Sequence, residues 1–133
     1  MNQTELHTAQ IADETPAWVA ELYSCFDTLN VEAVLAHFSD DCRIRFGNGE
    51  PTVGHEEFLA GAGAFLQSVR GMCHRFRQVW QSGDQTVLVA DVEYVRHNGS
   101  MLSLPAVTLL HRRPDGLIDD MQVVLDVTPL FTV

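Results

Sequence analysis

The residues that could do chemistry in this sequence are few, and those it lacks narrow the choice first. All eight basic residues are arginine, so Schiff-base catalysis on a lysine is excluded. The six histidines are His7, His37, His55, His74, His97 and His111. None is spaced as His-x-His or His-x-x-x-His, and no metal is expected. There is no Gly-x-Gly-x-x-Gly, no P-loop and no Gly-x-Ser-x-Gly, so no cofactor is expected either. Acid–base chemistry remains. An imidazole with an unperturbed pKa of ~6.5 is a competent base at neutral pH, and a neighbouring carboxylate fixes its tautomer. Asp27, in the run Phe26-Asp27-Thr28-Leu29-Asn30, and His74 are an acid and an imidazole among the candidates for such a pairing.

Charge and composition bound the partners. The formal net charge is −10, from 18 acids against 8 bases. Without a basic run, such a chain lacks the phosphate-neutralising surface that nucleic-acid binding needs, and it does not suit an anionic membrane. No apolar run approaches the ~20 residues of a membrane span. The first residues, 1–13, have neither a basic n-region nor an apolar h-region, so no signal peptide is expected and a cytoplasmic location follows by default. Cys25, Cys42 and Cys73 are odd in number and form no Cys-x-x-Cys. They read as reduced thiols.

The elements that must position these groups come from periodicity. The length of 133 residues is that of one domain, with residues 1–14 a polar tail and 15–133 the folded part. Thr15 fits an N-cap and Pro16 a first helical position. Trp18, Val19, Leu22, Tyr23, Phe26 and Leu29 then recur at helical spacing. After a break at Asn30, a second helix carries Val31, Val34, Leu35 and Phe38, and Ser39-Asp40-Asp41 ends it. A short strand is expected from Cys42 to Phe46, then a turn over 47–51. A third helix opens after Gly54 with Glu57 at a capping-box position. Its Gly61 and Gly63 are expected to permit close packing. The second half holds four extended segments, near 72–81, 85–96, 101–112 and 117–127, parted by Ser82-Gly83-Asp84, Asn98-Gly99 and Pro114-Asp115-Gly116. Helices followed by an antiparallel meander make an α+β domain, with three N-terminal helices packed on a curved antiparallel sheet. Alternation puts His74, Phe76, Gln78 and Trp80 on one strand face. Both sheet faces are partly apolar, so the face left uncovered by the helices needs a partner. A homodimer through the sheet is expected.

Several short motifs, in this order, carry a resemblance. They are Phe38-Ser39-Asp40-Asp41-Cys42, Gly54, His74, Ser82-Gly83-Asp84, Leu104-Pro105, Asp115-Gly116-Leu117-Ile118 and Leu125-Asp126-Val127-Thr128-Pro129-Leu130. Over about residues 15–131 the chain resembles the nuclear transport factor 2-like superfamily in its SnoaL-like branch. The resemblance implies a cone-shaped, cystatin-like roll whose sheet curls around an apolar pocket for a small apolar molecule. Some members are cofactor-free lyases, isomerases or cyclases and others only bind, so function must be read from the site.

The resemblance also assigns candidate residues. In the scytalone dehydratase and dehydrochlorinase branches, similarly placed Asp and His residues form a dyad. This makes Asp27 and His74 the catalytic candidates, with a buried structural pair as the other reading. Tyr23, Phe26, Phe76, Gln78 and Trp80 are candidate pocket walls. Asp91 is similarly placed to an acid of limonene epoxide hydrolase, but Val89 and Val123 stand where its partners would be. Its other reading is a solvated or arginine-paired strand residue. Ketosteroid isomerase chemistry is not expected, because Arg45 and Pro105 stand at its acid positions. Arg45 could reach a polar group of a ligand or pair with a surface acid, and His111 could face the cavity mouth. Asp126 is either a SnoaL-type acid or a turn cap.

Overall fold

The computed structural model describes residues 15–131; the N-terminal tail assigned to 1–14 lies outside the described residues. Its elements are α1 (Ala17–Asp27), α2 (Val31–Leu35), β1 (Phe38–Phe46), β2 (Thr52–Val53), α3 (His55–Gln67), β3 (Gly71–Ser82), β4 (Gln85–Val95), β5 (Met101–Arg112) and β6 (Ile118–Val124). A 3-10 turn over Thr128–Phe131 follows. The strands form a single sheet in the order β2-β1-β6-β5-β4-β3. All neighbours are antiparallel except β1 and β6, which run parallel. Three helices against a curved, mostly antiparallel sheet give the expected α+β architecture.

The helical half differs from expectation at its junctions. Pro16 is itself the N-cap of α1, with ψ at 144°, and the helix begins at Ala17. The helix α2 is only five residues long, and Phe38 to Asp41 belong to β1. A four-residue apolar spacing cannot tell a short helix from a strand that follows directly. Asn30 does break the chain, and its side chain caps α2 by accepting the N–H of Ala33. Glu57 sits at the third helical position of α3 but reaches back to the N–H of Val53, not to the N-cap. Gly54 is held at φ 87°, and a Cβ there would stand 3.5 Å from the carbonyl of Asp40. Glycine alone takes this conformation without strain. The hairpin between β4 and β5 turns at Asn98-Gly99, with Gly99 at φ 90°. The Asn98 side chain accepts the N–H of Ser100, so turn chemistry fixes the register of β4 against β5.

The core lies between the helices and the concave face of the sheet. Val19, Leu22 and Tyr23 of α1, Val34 of α2, and Phe58 and Leu66 of α3 are buried there. Across the sheet, Leu88, Val92 and Tyr94 of β4 alternate inward with half-buried Val87, Val89 and Val95 outward. Fully burying each such aliphatic side chain stabilises by about 1.5–3 kcal/mol. Gly61 and Gly63 of α3 do not serve close packing as expected: a Cβ at either would meet nothing within 4 Å.

Candidate functional site

The C-terminus of α1 and the start of β3 meet at one point. Asp27 is the last residue of α1, where a helix disfavours negative charge. It is held there by β3. One carboxylate oxygen accepts from His74 Nδ1 at 2.7 Å, and the backbone N–H of His74 lies 3.1 and 3.3 Å from the two oxygens. An ionised carboxylate only accepts, so Nδ1 carries the proton and Nε2 presents the lone pair of the neutral ring. Nε2 has no hydrogen-bond partner among the described residues. The His74 side chain is 14% exposed and stands on a cavity wall.

That cavity, of about 250 Å³, lies between the concave sheet and α1 and α3. Phe26, Phe76, Leu88, Val92, Ala106 and Met121 are among its apolar walls. Phe46 and Glu50, on and after β1, border it together with Gly61 and Phe65 of α3. Tyr23 is clasped by aromatic edges, with ring centroids 4.6 Å from His74, 4.9 Å from Phe76 and 5.3 Å from Phe26. Its hydroxyl is enclosed and lacks a partner of hydrogen-bonding geometry, although the Thr108 side chain lies beside it. A buried hydroxyl left so costs about 1–3 kcal/mol. Burial holds the Tyr23 phenol far above its ordinary pKa and so protonated; the Tyr94 phenol, also on the wall, is pushed up to about 12 by burial.

The structure thus brings together Asp27, His74, Tyr23, Phe26 and Phe76. Four candidates go elsewhere, and Arg45 with them. Gln78 and Trp80 do not share the face of His74, because β3 carries a bulge at Arg77. His74 pairs with Val92 and Phe76 with Ala90, but the next pairs are Gln78 with Val89 and Trp80 with Val87. One extra residue reverses the alternation, so Gln78 and Trp80 stand on the convex face and do not border the cavity. Asp91 is also convex, with Arg77 3.6 Å away. His111 bonds Asp119 through Nδ1, which with the charges of Asp119, Asp84 and Asp120 raises its pKa. Arg45 donates to the carbonyl of Gly49. Neither His111 nor Arg45 borders the cavity. Asp126 accepts the N–H of Thr128 and caps the last turn, the second of its two readings. Thr108, missed by sequence reading, sits between Val107 and Leu109. Its signal was a polar residue at an inward position of an otherwise apolar strand. Cys25, Cys42 and Cys73 are free thiols, Cys42 buried and the others half-buried. Among the described residues no three His, Cys, Asp or Glu side chains gather as a metal site would require. No helix among them is long and apolar enough to cross a membrane.

The sequence matches the family model of the SnoaL-like domain over residues 19–121. The chain belongs to this family. The SnoaL-like fold is also that of its solved structural neighbours. An NTF2-like protein of unknown function from Burkholderia pseudomallei superposes with a TM-score of 0.75 at 20% identity, covering 86% of this chain and 92% of that one. A putative SnoaL-like polyketide cyclase from Shewanella denitrificans gives 0.74 at 10% identity, covering 86% and 91%. TerC, co-crystallised with polyporic acid, gives 0.73 at 20% identity, covering 86% and 92%. At these identities the likeness establishes the SnoaL-like fold alone. Among curated proteins no sequence matches.

Proposed function

We propose that this SnoaL-like protein binds a small, largely apolar molecule in its cavity, and that Asp27 and His74 act there as a carboxylate-oriented base. The reaction class is a cofactor-free lyase, isomerase or cyclase step. The observation that carries the reading is the 2.7 Å bond from His74 Nδ1 to Asp27, made by an imidazole that borders an apolar cavity. In such a step Nε2 takes a proton from carbon or oxygen of the ligand. Asp27 stabilises the imidazolium that forms, and the same nitrogen returns the proton to a second position or to a leaving group. Tyr23, Phe26 and Phe76 hold the ligand against the ring. A structural neighbour, TerC, was co-crystallised with polyporic acid, which supports a small-molecule reading.

Incubation in deuterated water with a panel of small carbonyl compounds tests this directly. Mass spectrometry should find deuterium at the acidic carbon of an accepted ligand. His74→Ala should slow the exchange by about 10²- to 10⁴-fold while the protein stays folded. A folded His74→Ala protein with undiminished exchange would remove the dyad from the chemistry.

A second reading, a non-catalytic binding and dimerisation domain, is favoured by the convex face. Val89 pairs with Val107, and Val107 with Val124, while Val87 pairs with Leu109. This builds an apolar band in which Val124 is 51% and Leu109 39% exposed. Arg75 with Glu93 and Arg77 with Asp91 border the band, giving both charge signs to a two-fold, self-complementary contact. The proposed homodimer buries about 1,500 Å² in total. Light scattering at micromolar concentration should give a dimer mass for the native chain and a monomer for Leu109→Glu. A native monomer rules the interface out.

A further inference from the structure

The cavity meets solvent at one end. Four of its wall residues, Phe46, Gly49, Glu50 and Gly61, are exposed, while the others are buried or half-buried. These four flank a mouth between the turn that joins β1 to β2 and the middle of α3. Across the mouth the rings of Phe46 and Phe65 meet, with centroids 5.0 Å apart and planes inclined at 51°. The pair narrows the way in, and its two members are held very differently.

Phe65 is fixed by a second ring. It meets Tyr94 edge-on at 5.9 Å, and Tyr94 is itself buried. The backbone at Phe46 is fixed too. Gly47 donates its N–H to the carbonyl of Val123 at 2.8 Å, and Gly49 donates to that of Phe46 at 3.1 Å. The Phe46 side chain has no such hold. It is 36% exposed, and Phe65 is the one ring it meets among the described residues. A single aromatic pair contributes only about one to three times RT, and exposed side chains change rotamer within nanoseconds. Space for the ring lies on α3. Gly61 precedes Phe65 by one helical turn on the same face, and a Cβ there would meet nothing within 4 Å.

We infer that Phe46 is the door of the cavity: its ring shuts against Phe65 and opens into the space beside Gly61, so that ligands pass between the β1–β2 turn and α3. The inference rests on the binding reading above and goes beyond it by naming the route and the moving part. Shut, the ring keeps bulk water from the cavity in whose wall His74 stands. Swung over Gly61, it lets a ligand through. The door also gives a reason for a glycine inside α3, which helix propensity disfavours. A side chain at position 61 would fill the space that the ring needs.

Stopped-flow mixing of the full chain with 1-naphthylamine tests this, since the dye is uncharged at neutral pH and its emission changes when it leaves water. Phe46→Ala should quicken association and dissociation together by up to about tenfold, the factor that one lost aromatic contact gives, and leave their ratio nearly unchanged. Retained equilibrium binding reports that the variant is folded. If Phe46→Ala does not fold, Phe46→Leu gives the same test with a smaller factor. Gly61→Leu should slow both rates in the native chain and have no such effect in the Phe46→Ala background, where no ring needs the space. If Phe46→Ala quickens dissociation alone and weakens binding in proportion, Phe46 is a wall and the inference is overturned. Equal slowing by Gly61→Leu in both backgrounds overturns it too, because the leucine then blocks the mouth itself. Either result leaves the cavity a binding site. A native chain that does not bind the dye overturns the binding reading, and the door with it.

Discussion

The two faces of β3 and β4 are built from the same run of residues, yet they do different work. On the concave face, His74 and Phe76 stand opposite Val92 and Ala90, closed over by Tyr23 and Phe26 into a cavity wall. On the convex face, Arg75 and Asp91 stand opposite each other, and Arg77 pairs with Asp91 at 3.6 Å. Beyond the bulge, Trp80 joins Val87 and Leu109 in the apolar band. A residue's role here is set by the parity of its pairing. Chemical type did not distinguish His74 from His111, or Phe76 from Trp80; the side of the sheet did.

The largest effects should come from changing that parity. Deleting Arg75 removes a residue from the regular part of the β3 ladder. Either Met72 and His74 then turn outward, or Phe76 does and Arg77 is driven into the cavity. Each outcome strips large apolar contacts from the core, and a loss of roughly 3 kcal/mol or more is expected in urea unfolding. Deleting Arg77 removes only the bulged residue. Every other side chain keeps its face, and the loss should be that of an exposed ion pair, about 1 kcal/mol or less. If the Arg77 deletion proves the more damaging, the bulge is not what sets the two faces.

Neighbouring leucines of β5 sharpen the contrast at single-residue scale. Leu110 is fully buried and Leu109 is 39% exposed. Leu110→Ala should cost about 2–5 kcal/mol. Leu109→Ala should change the stability of the fold by no more than about 0.5 kcal/mol, acting instead on association. Equal losses in denaturant titrations of dilute protein would contradict the assignment of faces. A smaller effect, of opposite sign, belongs to α3. Gly61→Ala and Gly63→Ala should each raise stability by about 0.5–1 kcal/mol, because the new methyl meets nothing within 4 Å and the helix gains propensity. A fall in melting temperature for either would show that the glycine is needed.

The smallest effect is one of pH, on the convex side. His111 has its pKa raised chiefly by the hydrogen bond to Asp119, with the nearby charges of Asp119, Asp84 and Asp120 adding to it. A raised folded pKa favours the folded state while the ring is protonated. The contribution is therefore complete below the unfolded value of ~6.5 and is lost as pH rises through the folded value. The partly exposed setting keeps it slight. Stability profiles of native protein and His111→Asn should diverge below neutrality and converge above it; parallel profiles would remove Asp119 as the cause.

The α+β class and the hairpins were legible in the sequence itself, and the pairing of Asp27 with His74 in the family resemblance. Asn98-Gly99 and Asn30 act through bonds within a few residues of themselves, to Ser100 and Ala33, so the information they carry is local. The apolar stripe of α1 likewise puts Leu22 and Tyr23 on its buried side. The resemblance placed an acid late in that helix near an imidazole early in β3, and the bond between them is present. The sequence by itself therefore determined the element types and most of their order, and the resemblance named the acid and the imidazole that bond one another. Tertiary structure alone decided which strand residues join them. The bulge at Arg77 depends on how β3 lies against β4, and the place of Thr108 beside Tyr23 depends on α1 folding back across β5. Strand alternation propagates only while pairing stays regular. One unpaired residue inverts everything beyond it, and nothing in the local sequence Phe76-Arg77-Gln78 announces where that happens.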